Sequence, residues 1–132
     1  MITKGTHHVS LTVSDLDQAC AFYGKLLGLV EIERPDFGFP GAWYQAGSVQ
    51  LHLIAAPPGH DIGSPPAKAS PLANHLAFEI EDYEAMKARL EDAGVEVIGL
   101  GDEVGQLFAR DPHGNMIEFI RPGGRLGRTK PE

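Results

Sequence analysis

Over residues 7–13 apolar and polar positions alternate: Val9, Leu11 and Val13 interleave with His8, Ser10 and Thr12. A period of two predicts a strand with one apolar face. The period then lengthens. Leu16, Ala19, Phe22, Tyr23, Leu26 and Leu27 recur at the spacing of an amphipathic helix, which Ser14 or Asp15 can cap and Gly28 can end. Three short strand-like runs follow, near 29–34, 42–46 and 49–55. The same order then returns. A strand is expected at 74–80 and a helix at 82–93, with Tyr83, Met86 and Leu90 on one face and Gly94 at its end. Strands are expected again near 95–98, 105–110 and 115–121.

This is an internal repeat. The segment from His8 to Leu16 lies on that from His75 to Tyr83 at an offset of 67, with His on His, Asp15 on Asp82 and apolar residues in step. At an offset of 66, Gly28-Leu29-Val30 falls on Gly94-Val95-Glu96, and Gln50-Leu51-His52-Leu53-Ile54 on Met116-Ile117-Glu118-Phe119-Ile120. One loop deletion accounts for the change of offset. The expected fold is α+β, built from two βαβββ modules. Module one runs from about 5 to 56 and module two from about 73 to 122 within a single domain. The stretch between them, about 57–72, is a linker, since Ala55 to Leu72 holds five of the ten prolines. The tail 123–132, with Arg125, Arg128 and Lys130 against Glu132, reads as a frayed or surface-hugging end. A module of about 60 residues buries too little surface to be stable alone, so the two should pair.

Each strand then needs one face for its helix and one for a shared cavity. Leu11, Leu51, Leu76 and Ile117, with their apolar neighbours two positions away, take the helix face. His8, His52, His75 and Glu118 fall on the other face of their strands, at two pairs of repeat-equivalent positions. Repeat symmetry predicts that these four can converge. Imidazole with carboxylate suits Fe, Mn, Co, Ni or Zn. Two His and one carboxylate with open positions is a common non-haem iron arrangement, whereas a closed tetrahedral shell would be structural zinc. Glu79 shares a face with His75 and is a candidate general base, although a salt bridge or solvent would also suit it. His7 has the wrong parity for a ligand, His60 sits in the linker, and His113 belongs to the turn Asp111-Pro112-His113-Gly114-Asn115. Cys20 reads as a small core residue. Trp43 and Tyr44 read as packing residues, one of which could floor the cavity.

Composition narrows the partners. The chain has 132 residues, 42% hydrophobic and 22% charged, which are globular values. A net charge of −7 argues against nucleic acid and acidic membranes. No apolar run is long enough to span a bilayer, and the first residues lack a signal-peptide core, so a cytoplasmic location is expected. The single cysteine excludes an intrachain disulfide and a thiolate cluster.

These residues resemble the vicinal oxygen chelate superfamily, which includes glyoxalase I, bleomycin-resistance proteins, fosfomycin-resistance enzymes and extradiol dioxygenases. The resemblance is carried by His8-Val9-x-Leu11-x-Val13-x-Asp15-Leu16, Phe22-Tyr23-x-x-Leu26-Leu27-Gly28, Gln50-Leu51-His52-Leu53, Asn74-His75-Leu76-Ala77-Phe78 and the run from Arg110 to Glu118. It implies modules paired into an open mixed-sheet barrel around a divalent metal, in a homodimer. The family's ligand positions fall on His8, His52, His75 and Glu118. Glyoxalase I commonly has Glu where this chain has His52. The fosfomycin enzymes use a cationic cluster that is not evident here. The resemblance implies a metal-dependent lyase or isomerase, or a dioxygenase, acting on a small oxygen-bearing substrate, with Glu118 or Glu79 as base. The alternative is a dimer that sequesters an aromatic ligand without chemistry, as in bleomycin resistance.

Overall fold

The computed structural model describes residues 2–123, so the tail residues Arg125, Arg128, Lys130 and Glu132 lie outside it. The chain divides into two compact units. Unit one is the chain up to Pro65 together with Asp111–His113, and unit two is Pro66–Arg110 with the chain from Gly114 onward. In unit one, β1 (His8–Thr12) leads into α1 (Leu16–Cys20) and a π-helical stretch, Ala21–Leu26. Then come β2 (Val30–Ile32), β3 (Gly41–Ala46) and β4 (Val49–Ile54). Unit two repeats the order with β5 (His75–Glu79), α2 (Tyr83–Asp92), β6 (Val97–Gly99), β7 (Gln106–Arg110) and β8 (Met116–Ile120). Each unit is thus βαβββ, and the class is α+β. Between β4 and β5 there is neither helix nor strand. No described helix is long and apolar enough to cross a membrane.

Each sheet is mixed and four-stranded. The orders are β1-β4-β3-β2 and β5-β8-β7-β6. The first strand of each unit runs parallel to the last, and the other neighbours are antiparallel. Both helices start the same way. Asp15 and Asp82 hold extended backbone, and their Oδ1 atoms accept from Gln18 N and Ala85 N, each at 3.0 Å. These N-caps satisfy amides that have no partner inside the helix. The helix face of each sheet is the core. Leu51 and Leu53 pack there with Phe22, Tyr23 and Tyr44, while Tyr83 and Leu90 pack with Leu107, Ile117 and Phe119.

The first helix differs from the expected single α-helix. It is α-helical only to Cys20, after which Leu27 N donates to Phe22 O at 2.9 Å, one residue further back than an α-turn allows. Phe22 and Tyr23 are adjacent and both buried. A wider turn reduces the angle between adjacent side chains, so both rings can face the sheet. Gly24 completes the fit, because a Cβ there would stand 3.2 Å from the Tyr44 ring and hydroxyl.

The Asp111 turn is tied down by Tyr23, whose hydroxyl donates to Asp111 Oδ2 at 2.7 Å in a buried site. Asp111 Oδ1 accepts from His113 N at 2.9 Å, which makes His113 the turn residue the sequence suggested. Burial raises the Tyr23 pKa, and the Asp111 charge raises it further, so the phenol stays a donor. Tyr23→Phe leaves a buried carboxylate short of one donor. It should lower the unfolding free energy by about 1–3 kcal/mol, read as a reduced urea midpoint at unchanged m-value. An unchanged midpoint would show that the bond adds nothing.

Candidate metal and substrate site

Sheet register fixes which side chains share the face turned away from the helix. In unit one it makes three rows: His8, Gln50, Gln45 and Val30; then Ser10, His52, Trp43 and Ile32; then Thr12, Ile54 and Gly41. In unit two the rows are His75, Met116 and Arg110; then Ala77, Glu118, Phe108 and Ile98; then Glu79, Ile120 and Gln106. The four expected ligands therefore form two pairs in matching positions, one pair per unit. Within neither unit do three His, Cys, Asp or Glu side chains gather at metal-holding distance among the described residues.

In unit one His52 is 7% exposed and clasped on both faces. Trp43 stacks on one side, with centroids 3.9 Å apart and planes 4° from parallel. His8 stacks on the other at 4.1 Å. His8 is exposed, and its Nδ1 lies 2.8 Å from His7 Nδ1, so one of the two rings donates. That bond leaves His8 Nε2 without a hydrogen bond among the described residues and makes His7 a partner of a candidate ligand, a role its opposite parity concealed. His52 Nε2 lies 2.9 Å from Gln50 Oε1. The Gln50 amide thereby selects the His52 tautomer: with its oxygen toward the ring, Nδ1 carries the lone pair.

In unit two the geometry fixes the tautomer. His75 Nδ1 stands 2.7 Å from Ala73 O, which can only accept. Nδ1 carries the hydrogen, so Nε2 of the neutral ring presents its lone pair. That lone pair faces Glu118 Oε1 at 3.8 Å. Glu118 is 4% exposed, and the same oxygen accepts from Gln106 Nε2 at 2.9 Å. Nε2 of the neutral ring and the carboxylate are two electron-pair donors aimed at one space, a donor set that fits a divalent metal. Phe108 meets His75 edge-on at 5.5 Å, from the position that Trp43 holds in unit one.

The remaining candidates sort readily. Glu79 is exposed at the end of β5, on the His75 face, and lines a shallow pocket with Ile80, Glu81, Arg121 and Pro122. Of the two aromatic residues on β3, Trp43 is on the ligand face and Tyr44 is in the core. Cys20 is half-buried and His60 exposed. Sequence reasoning did not single out Gln106, although its row position beside Glu118 follows from the repeat.

Twin βαβββ units, each with a mixed four-stranded sheet, define a class of protein, and the comparisons with known proteins agree. The model of the glyoxalase/bleomycin resistance protein/dioxygenase superfamily matches residues 5–119, and the chain belongs to that superfamily. It is 34% identical over 119 residues to "Glyoxylase I 4" of Arabidopsis thaliana, covering 86% of this chain and 68% of the relative. It is 31% identical over 132 residues to an ethylmalonyl-CoA/methylmalonyl-CoA epimerase of Cereibacter sphaeroides, covering 88% of this chain and 87% of that one. A glyoxalase/dioxygenase crystal structure from Nostoc punctiforme matches with a TM-score of 0.73 at 26% identity, over 89% of this chain and 90% of that chain.

Burial lowers the His52 pKa below its ordinary 6.5, and the charges of His8, His7 and Arg34 act in the same direction. The folded chain therefore prefers the neutral ring. As pH falls below 6.5 the unfolded chain takes up a proton that the folded chain resists, so stability falls with pH. Urea unfolding of metal-free protein between about pH 7.5 and about pH 5.5 should show this decline, and it should be shallower in His52→Gln. Identical pH slopes in the two proteins would remove His52 as the cause.

Proposed function

We propose that this chain is a divalent-metal-dependent enzyme of the vicinal oxygen chelate type, with His8, His52, His75 and Glu118 as the metal ligands. Its substrate is a small molecule with neighbouring oxygens, and its reaction is an isomerisation or lyase step of the glyoxalase kind. It works as a cytoplasmic homodimer. The observation that carries this reading is the His75–Glu118 pair, in which a tautomer-fixed lone pair faces a buried carboxylate at 3.8 Å. That one relative is named an epimerase supports isomerisation over dioxygenation.

A bound divalent ion supplies a Lewis acid that polarises a substrate oxygen and favours the negative charge developing there. The chain's own residues do the rest. The Ala73 carbonyl and the perpendicular Phe108 ring hold the His75 ring in one orientation. Gln106 holds Glu118 Oε1 and leaves Oε2 to act. Glu118 or Glu79 takes the proton from the substrate carbon and returns it elsewhere.

Elemental analysis of chelator-free protein, offered Fe, Mn, Co, Ni and Zn in turn, tests the proposal. About one metal per chain is expected, lost in His75→Ala and Glu118→Ala. Gln106→Leu should lower metal affinity by about 10- to 100-fold, because it frees the carboxylate it now orients. Full metal content in both alanine variants would remove these ligands. Glu79→Gln separates the bases: if Glu79 is the base, turnover falls while metal content stays. The second reading is a ligand-sequestering dimer, favoured by the row of rings formed by Phe37, Trp43 and His52. Binding of an aromatic ligand without stoichiometric metal would establish it.

A further inference from the structure

Arg34 lies in the β2–β3 loop, half-buried, and reaches back over the ligand face of unit one. Gly41 makes this possible. A Cβ at that position would stand 2.7 Å from Arg34 Nε and 2.8 Å from its Cζ, so the bare backbone is the bed on which the guanidinium lies. The Phe37 and Phe39 rings each hold the Arg34 Cζ at 5.1 Å from their centroids. Phe37 stands 6.0 Å from Trp43, which stacks on His52. The guanidinium is thus fixed at one end of a ring row whose other end is a candidate metal ligand.

What it lacks is an acceptor. Arg34 makes no hydrogen bond or ion pair among the described residues, whereas Arg110 donates to Pro66 O and Arg121 to Asp102. The carboxylate two residues on, Asp36, instead accepts from Gly38 N at 2.8 Å. A guanidinium carries five N–H donors in a planar fork that matches a carboxylate or phosphoryl group. The two rings and the bare backbone of Gly41 hold that fork in place before any ligand arrives, which lowers the ordering cost of binding.

We propose that Arg34 is the anion-anchoring residue of this site: it takes a carboxylate or phosphoryl group of the substrate. The substrate then carries an oxyanion in addition to the oxygens that meet the metal. The role in turnover rests on the function proposed above, whereas the anion binding itself does not.

Trp43 is the only tryptophan, so its emission reports on this face. The full-length protein, first metal-free, is titrated with malonate and separately with inorganic phosphate at constant ionic strength. A saturable change with at least one anion is expected. Response to malonate alone assigns a carboxylate and response to phosphate alone a phosphoryl group. Arg34→Gln should weaken binding by about tenfold or more, with Arg34→Lys between the two, because an ammonium keeps the charge but not the fork. Metal content in Arg34→Gln should equal that of the parent, so loss of the metal proposal and loss of this one read out separately. No saturable response to either anion, or equal affinity in Arg34→Gln, overturns the assignment.

Discussion

The parallel pairing of the first and last strands in each unit is the constraint on which the site depends. It sets Ser10 opposite His52 and Ala77 opposite Glu118, so His8 and His75 each stand one row from their partner. A slip of one residue would send His8 or His75 to the helix side and expose Leu11 or Phe78 in exchange. The core on the helix face prevents that slip. Leu51, Leu53, Ile117 and Phe119 are all essentially inaccessible to solvent, and moving any of these strands by one residue would forfeit that burial. Hydrophobic packing on one face thus holds the polar chemistry of the other in register.

The same alternation explains what could be read from the chain alone. Strand faces obey a strict period of two, so the placement of His8, His52, His75 and Glu118 away from the helices followed from counting. The repeat supplied the equivalences. Asp15 was one of two cap candidates for the first helix, and Asp82, its match in the repeat, does the same work in the second. The π-helical stretch was not legible, since apolar spacing at Phe22, Tyr23, Leu26 and Leu27 suits an α-helix equally well. Its basis is tertiary: the adjacent rings of Phe22 and Tyr23 are both buried against the sheet, and Gly24 leaves room for Tyr44. Arg34 was not legible either. The loop 33–40 has no period, and the use of Gly41 as a bed appears only when the loop folds back.

The two units solve one problem with different residues. Each sets an aromatic ring from its third strand beside its donors: Trp43 parallel to the ring of His52, and Phe108 perpendicular to the ring of His75. The next row diverges. Unit two has Gln106, which reaches Glu118 and orients it. Unit one has Gly41 in the matching position, which reaches nothing and leaves room for Arg34. A duplicated module has thus kept its donor positions and changed the residue beside them, from a positioning amide to a vacant bed.

That change bears on what kind of molecule the chain can attract. With a net charge of −7, its long-range field opposes an approaching anion. At physiological salt that field fades within about 8 Å, so a local cation decides the matter. Arg34 is suited to do so because it is half-buried and faces no carboxylate among the described residues. An exposed lysine would be screened and mobile. A guanidinium held by Phe37, Phe39 and bare backbone loses little freedom on binding and offers two parallel donors at once. An acidic protein can therefore select an anionic substrate only at such a point, and the selectivity comes from the geometry of the bed rather than from the charge of the molecule.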